Sequence, residues 1–230
     1  MAITHHLTDT TLQQYAAGAL STPMETLVAC HLTVCARCRD ELEVHEAVGG
    51  AVLGSGEPVT PRSSAAEALA RDALPGVRPT IEPRVGHDAE GPWIDPPRAD
   101  PAVGVPRPLG RLLPRPLEAL DWHRTAPGLH QFNLSRGPRT AGAFKLLHCA
   151  PGLSLAAHTH RGRELTFVLR GGYRDEVGHF LPGDVADLDD AVEHRPVVDG
   201  DGPCIALIAT DSPVRYTELT GSLMQPFVGM

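Results

Sequence analysis

The order of apolar and polar positions divides the chain into a helical N-terminal part and a β-rich C-terminal part. Over residues 1–53, apolar side chains recur at spacings of three and four, the pattern of an amphipathic helix. It predicts three short helices: one after an N-cap at Asp9 or Thr10, one over residues 23–31, and one over residues 35–53 with Gly49-Gly50 as a weak point or end. The faces predicted to be buried carry Leu12, Tyr15, Ala16, Ala19 and Leu20 in the first helix, and Leu42, His45, Val48 and Val52 in the third.

From Leu117 onward, short apolar runs alternate with turn residues. The runs cover residues 144–149, 165–169 and 204–209, and Gly and Pro bound them. Pairs such as Pro151-Gly152 supply the turns between them. The pattern predicts an all-β domain of the barrel or sandwich type.

A proline-rich segment separates the two parts. Residues 64–74 predict a fourth helix, and eleven prolines then occur between positions 75 and 116. This density disfavours regular helix and central strand and favours an extended tether. The predicted architecture is therefore multidomain, α plus all-β, with a helical domain at 1–75, a Pro-rich linker at 76–116 and a β-barrel domain at 117–230.

Composition and charge narrow the class of partner. The 230 residues carry a formal net charge of −8, so the chain lacks the basic footprint that binds nucleic acid or an anionic membrane. No run of 18 apolar residues occurs, and the first residues lack the regions of a signal peptide. We expect a cytoplasmic protein without direct nucleic-acid or membrane contacts. In a reducing compartment, its five cysteines favour metal binding over a disulfide framework.

The run His31-x3-Cys35-x2-Cys38 supplies one imidazole and two thiols near a helix start. These are three ligands of a tetrahedral site that would connect the end of one helix to the start of the next. We expect His6 to be the fourth ligand, with His5 as its competitor and Cys30 as a weaker rival. Three short helices bury little apolar surface, so a metal would staple the bundle.

A second pattern, Gly152-x5-His158-x-His160-x3-Glu164-x6-Gly171, is the most specific in the chain. His158 and His160 alternate on a predicted strand and share a face, which Glu164 and the later His194 can also reach. Three imidazoles and a carboxylate suit Zn²⁺, Fe²⁺, Mn²⁺ or Ni²⁺. The spacing resembles the first cupin motif, and the implied fold is a small cupin barrel.

The two motifs in this order make the chain similar to the ChrR family of zinc-dependent anti-sigma factors. The resemblance covers nearly the whole chain except the linker. Besides the two metal motifs, it is carried by five short runs: His5-His6-Leu7-Thr8-Asp9, Tyr15-Ala16-Ala17-Gly18-Ala19-Leu20, Tyr173-Arg174-Asp175-Glu176, Ala209-Thr210-Asp211-Ser212-Pro213 and Gln225-Pro226-Phe227-Val228-Gly229.

The resemblance implies a regulator rather than an enzyme. Its N-terminal domain would bind an extracytoplasmic-function sigma factor, and its cupin domain would be needed to release that factor on a singlet-oxygen or organic-peroxide signal. Two zinc ions per chain are implied, although the cupin site could hold Fe, Mn or Ni instead. The implied ligands are His6, His31, Cys35 and Cys38 for the first ion and His158, His160, Glu164 and His194 for the second.

Two other functions remain open from the residues alone. A cupin enzyme of the dioxygenase or isomerase type is compatible with three histidines and a glutamate, because such a centre can leave positions open for substrate. A DNA-binding regulator is disfavoured, since residues 1–53 hold two arginines and six carboxylates, a net charge of −4. An acidic helical unit instead suits a basic protein surface.

Overall fold

The computed structural model describes residues 2–56, 99–100, 104–135, 142–212 and 215–216. Helix α1 spans Asp9–Ala16 and α2 spans Thr22–Leu32. Thr8 is the N-cap of α1, since its side chain accepts a hydrogen bond from the Thr11 amide. The N-cap therefore lies one residue before Asp9, the earlier of the two predicted caps. The helix ends at Ala16, so Ala19 and Leu20, predicted to lie on its buried face, are outside it.

Helix α3 spans Ala36–Ser55 and continues through Gly49-Gly50. Of the positions predicted to be buried, Leu42 is buried and His45 is half-buried. Val48 and Val52 are instead 59% and 68% exposed, so this part of the prediction is wrong. Helical periodicity identifies an apolar face, but it does not say whether the chain itself covers that face.

The predicted fourth helix and most of the predicted linker lie outside the described residues. At the C-terminal end of that segment, strand β1 (Ala99–Asp100) pairs with β2 (Val105–Pro106), and a helical turn, α4 (Arg107–Gly110), follows. Proline is accommodated there because it occupies the first turn of α4. Leu109 of α4 is fully buried, and α4 packs against α2.

The strands of the C-terminal part are β3 His123–Ala126, β4 Leu129–Asn133, β5 Phe144–Cys149, β6 His158–Thr159, β7 Glu164–Arg170, β8 Tyr173–Arg174, β9 His179–Phe180, β10 Val185–Leu188, β11 Val197–Val198, β12 Cys204–Thr210 and β13 Arg215–Tyr216. A short 3₁₀ helix, Leu117–Ala119, precedes β3. The main sheet is antiparallel and six-stranded, in the order β10-β7-β12-β5-β4-β3. A three-stranded sheet, β11-β8-β9, and a two-stranded pair, β13-β6, account for the other strands described in this part of the chain.

The central strands are apolar on both faces because both faces are covered. In β12, Ile205 and Leu207 join the core beneath the helices, whereas Ala206 and Ile208 face the second core inside the β domain. This explains why the strands appear in the sequence as continuous apolar runs rather than alternating ones. The predicted order, a helical bundle followed by an antiparallel β domain, is confirmed.

Helix α2 packs on strands β7 and β12, so the helices and the sheet share one core. The described residues among 1–49 and 97–230 accordingly form one compact unit. Among the described helices, none combines the length and the apolar character needed to cross a membrane.

Candidate metal centres

The structure brings the first predicted ligand set together where α1, α2 and α3 meet. Ligand atoms of His6, His31, Cys35 and Cys38 lie within 4.8 Å of one another, and we call this group the hairpin centre. His6 Nδ1 lies 3.3 Å from Cys35 Sγ, and His31 Nε2 lies 3.3 Å from Cys38 Sγ. Edges of about 3.3–3.8 Å are expected for two sulfurs and two nitrogens around tetrahedral zinc. The donor set and its spacing fit a structural zinc site.

Each ligand of the hairpin centre comes from the end of an element. His6 precedes α1, His31 lies in the last turn of α2, and the two cysteines flank the start of α3. His31 is fully buried, and burial lowers its pKa to about 4, so the imidazole is neutral and ready to ligate. Burial raises the pKa of Cys38 to about 12, so binding a metal must displace its proton.

His31 is oriented by a group from the β domain. Its Nδ1 lies 3.0 Å from the carbonyl oxygen of Gly183, in the turn before β10. Donation from Nδ1 to this carbonyl leaves Nε2 facing Cys38, the arrangement usual for a metal-ligating histidine. The ring also meets Phe167 of β7 edge-on, with centroids 6.0 Å apart. Sequence spacing gave no indication of either contact, because both partners lie more than 130 positions away.

Neither rival for the fourth position belongs to the hairpin centre. His5 packs its ring on Phe180, with centroids 4.2 Å apart, and its Nδ1 lies 3.5 Å from Asp184 Oδ2. Cys30 is a fully buried core residue whose pKa burial raises to about 12. The structure therefore places His6 in the cluster, and His5 and Cys30 outside it.

The second ligand set meets inside the β domain. Ligand atoms of His158, His160, Glu164 and His194 lie within 4.8 Å of one another, all four residues are buried, and we call this group the barrel centre. His158 and His194 are direct partners across a β-bridge. Glu164 begins β7 and points to the same interior.

Three features of the barrel centre fit a metal ion. His160 Nε2 and His194 Nε2 lie 3.3 Å apart, and a metal ion between two such nitrogens would satisfy both lone pairs. His160 Nδ1 is buried, makes no hydrogen bond in the described part of the chain, and lies 3.4 Å from Oε2 of the co-ligand Glu164. Burial lowers the pKa of His158 to about 4 and that of His160 to about 3, so both rings are neutral at pH 7. Neutral imidazoles are the form that metals bind.

Asp175, which the sequence did not mark as functional, orients His194. Its Oδ2 accepts a 2.8 Å hydrogen bond from His194 Nδ1, which leaves Nε2 for the centre. Burial raises the pKa of Asp175, but hydrogen bonds from His194, Gly178 and Val177 outweigh it and hold the pKa below its usual value. His158 is oriented similarly, by a 2.8 Å hydrogen bond between its Nδ1 and the Ala156 carbonyl.

A largely apolar cavity of about 60 Å³ adjoins the barrel centre. His158, Glu164 and His194 form one wall of it; the other walls are Leu147, Cys149, Leu155, Thr166, Tyr173, Pro196, Val198, Cys204, Ala206 and Ile208. Tyr173 is 5% exposed, and its hydroxyl has no hydrogen-bond partner among the described residues. The cavity has room for only a few non-hydrogen atoms. Cys204 of β12 is thus both a buried core residue and part of the wall of this cavity.

The comparisons with known proteins cover nearly the whole chain. A family model described as the ChrR cupin-like domain matches residues 115–212. Over 227 residues the chain is 36% identical to the anti-sigma-E factor ChrR of Cereibacter sphaeroides (strain ATCC 17023), covering 99% of both proteins. The crystal structure of Rhodobacter sphaeroides SigE in complex with the anti-sigma ChrR matches with a TM-score of 0.67 and 33% identity, over 91% of this chain and 100% of that one. The chain therefore belongs to the ChrR family of anti-sigma factors.

Proposed function

We propose that this protein is a zinc-dependent anti-sigma factor that sequesters an extracytoplasmic-function sigma factor through its helical part and releases it on an oxidative signal. It would act in the cytoplasm, where RNA polymerase and its sigma factors work. The relative with 36% identity over the full length is named an anti-sigma-E factor, and the matching crystal structure is a complex with SigE. In this proposal, the domain that binds sigma is the predicted helical domain, residues 1–75.

The observation that carries the proposal is the geometry of the hairpin centre. Its four ligands come from the ends of three helices, so one ion would fix all three relative to one another. Two sulfurs and two nitrogens with no further acidic ligand favour a closed structural zinc site over a catalytic one. Such a site supports a binding surface rather than a reaction.

The exposed face of α3 fits a protein partner. Val44 and Val48, one turn apart, are 63% and 59% exposed, and the carboxylates of Asp40 and Glu43 beside them are also exposed. Large apolar side chains grouped at the surface are typical of sites that bind another protein. Together with the net charge of −4 over residues 1–53, this face suits a partner with an apolar and basic surface.

The proposed metals are two zinc ions per chain, one in each centre. For the barrel centre, three histidines and a glutamate would equally accept Fe, Mn or Ni, so the donor set supports a metal but does not select it. The proposed role of the barrel centre is sensing. A change there would be passed to the helices through the core that the two parts share.

Complex formation with the cognate sigma factor tests the proposal. We expect a 1:1 complex on gel filtration, lost when Cys35→Ser and Cys38→Ser are combined. The matched control is Cys30→Ser, which changes a buried cysteine of the same helical part outside the hairpin centre and should leave sigma binding intact. Loss of binding in both variants, or in neither, would contradict the proposed role of the hairpin centre.

The cavity favours a second candidate, a metal-dependent cupin enzyme of the dioxygenase or isomerase type. Space beside three of the four ligands would let a small molecule reach the metal. Metal analysis of protein expressed without added metal separates the two candidates. Two zinc ions per chain support the anti-sigma factor, whereas one zinc and one redox-active metal, with oxygen consumption, would support the enzyme.

A further inference from the structure

The segment just before α1 is attached to strand β10 on both sides of the ligand His6. We call residues 3–8 the N-terminal strap. On one side of His6, Asp184 Oδ1 accepts hydrogen bonds from the amides of Thr4 (2.7 Å) and His5 (3.0 Å). The strap also pairs with the β10 edge, where the Val185 amide lies 3.4 Å from the His5 carbonyl oxygen.

On the other side of His6, Asp187 holds Thr8. Its Oδ2 accepts hydrogen bonds from the Thr8 amide (2.9 Å) and from the Thr8 hydroxyl (2.8 Å). The side chains of Asp184 and Asp187 are only 1% and 3% exposed, so both carboxylates depend on these hydrogen-bond donors. Two carboxylates of the β domain therefore fix the position of a ligand of the hairpin centre.

The carboxylate of Asp184 is itself held by the β domain. Its Oδ2 accepts a 2.9 Å hydrogen bond from the Leu181 amide, which closes the turn before β10. The neighbouring Gly183 contributes the carbonyl that orients His31, and its amide bonds to the Val168 carbonyl of β7 at 2.9 Å. One turn thus positions two of the four ligands of the hairpin centre.

Arg163 joins the strap to the barrel centre. It directly precedes the ligand Glu164, and its guanidinium donates hydrogen bonds to Thr11 Oγ1 (2.6 Å) and Gln14 Oε1 (2.8 Å) of α1. The same guanidinium lies 3.6 Å from Asp187 Oδ1. A displacement of Glu164 would move the backbone of Arg163 and, through it, the group that holds α1 and Thr8.

We propose that Asp184, Asp187 and Arg163 are positioning residues that let the barrel centre control how firmly the hairpin centre holds its metal. The proposal rests on the proposed function, because it assumes that the hairpin metal maintains the sigma-binding surface. With the strap in place, His6 and His31 are held at ligating positions. With the barrel centre disturbed, the strap loosens and the thiolates lose protection.

The test is the alkylation rate of Cys35 and Cys38 by iodoacetamide in the full-length, zinc-loaded chain, read cysteine by cysteine by peptide mass spectrometry. Outer-shell partners of metal ligands contribute about 10–100-fold to metal affinity. We therefore expect Asp187→Ala and Arg163→Gln to raise the rate at these two cysteines about tenfold or more. Arg174→Gln is the control for loss of an arginine–aspartate ion pair outside the strap: Arg174 lies 3.3 Å from Asp199, in a pair more exposed than that of Arg163 with Asp187. In the Arg174→Gln variant, Cys35 and Cys38 should be alkylated at the same rate as in the unchanged chain.

A double-mutant cycle tests the connection to the barrel centre. His158→Ala should also speed alkylation of Cys35 and Cys38, and this increase should vanish in the Asp187→Ala background, where the strap is already cut. Cys149 and Cys204 are buried in the β domain, so their alkylation reports unfolding. If Asp187→Ala exposes them, Thr8→Ala is used in place of Asp187→Ala, and we again expect faster alkylation of Cys35 and Cys38. Alkylation at the unchanged rate in the strap variants, or a fully additive cycle, would overturn the inference. Both measurements are made without the sigma factor, so a negative result here would leave the proposed function to be tested by sigma binding.

Discussion

At the scale of single residues, the spacing of ligands could be interpreted from the sequence, but their orientation could not. His31, Cys35 and Cys38 are close in sequence, so one turn of helix limits where their atoms can lie. The groups that orient the histidines are Gly183 for His31 and Asp175 for His194. These partners become neighbours only through the fold; Asp175 lies in a run that carries the family resemblance, but nothing in that run indicates its contact with His194.

Asp175→Asn should weaken metal binding at the barrel centre about 10–100-fold. The amide removes the negative charge that the His194 ring faces at 2.8 Å and favours the wrong tautomer of that ring. Competition titration with a chelator of known affinity measures the effect. Asp201→Asn, at an exposed turn, is the control and should leave the affinity unchanged. Equal affinities in the two variants would show that Asp175 does not orient the ligand.

At the scale of elements, the strands were more predictable than the exposed helix face. Strands β5, β7 and β12 coincide with the predicted apolar runs to within one residue at either end, because burial on both faces leaves few polar positions inside them, such as Lys145 and Thr166. In α3, periodicity placed Val48 in the core, whereas it is exposed. A face that binds another protein and a face that packs on its own chain have the same apolar pattern.

Two glycines of the cupin motif provide a matched test of element geometry. Gly171, between β7 and β8, has φ +67°, and a Cβ there would collide with the Pro203 carbonyl. Gly152 has φ +70° but open space around it. We expect Gly152→Ala to lower the free energy of unfolding by about 1 kcal/mol through backbone strain, and Gly171→Ala by about 3 kcal/mol or more through strain and overpacking. Urea denaturation followed by circular dichroism measures both, and equal losses would contradict the close approach at Gly171.

At the scale of the whole molecule, the sequence indicated two parts but not how they join. The proline-rich segment predicted a long tether, which by itself says nothing about contact between its ends. The structure joins the described residues among 1–49 and 97–230 through one core and through the carboxylates of Asp184 and Asp187. Single carboxylates in a β-rich segment carry no sequence signal for a partner some 180 positions away.

The stability of the metal-free barrel should depend on pH in a defined direction. His158 and His160 have pKa values lowered by burial to about 4 and 3, against 6.5 when unfolded. Between the folded-state pKa values and 6.5, the unfolded chain binds more protons than the folded chain, so the free energy of unfolding rises with pH over this range. This stability is lost as the pH falls below about 6.5. Thermal melts of the metal-free chain should show a lower Tm at pH 5 than at pH 7. An equal or higher Tm at pH 5 would mean that the two rings are not buried in neutral form.

The most direct test of the central claim is hydrogen–deuterium exchange of the intact chain in its sigma complex, before and after a chelator removes the metal. The account predicts that amides of α1, α2 and α3 lose protection and that sigma dissociates, while β5 and β12 keep their protection as internal controls. If the three helices stay protected and sigma stays bound in the metal-free chain, then a metal ion does not hold the binding surface together.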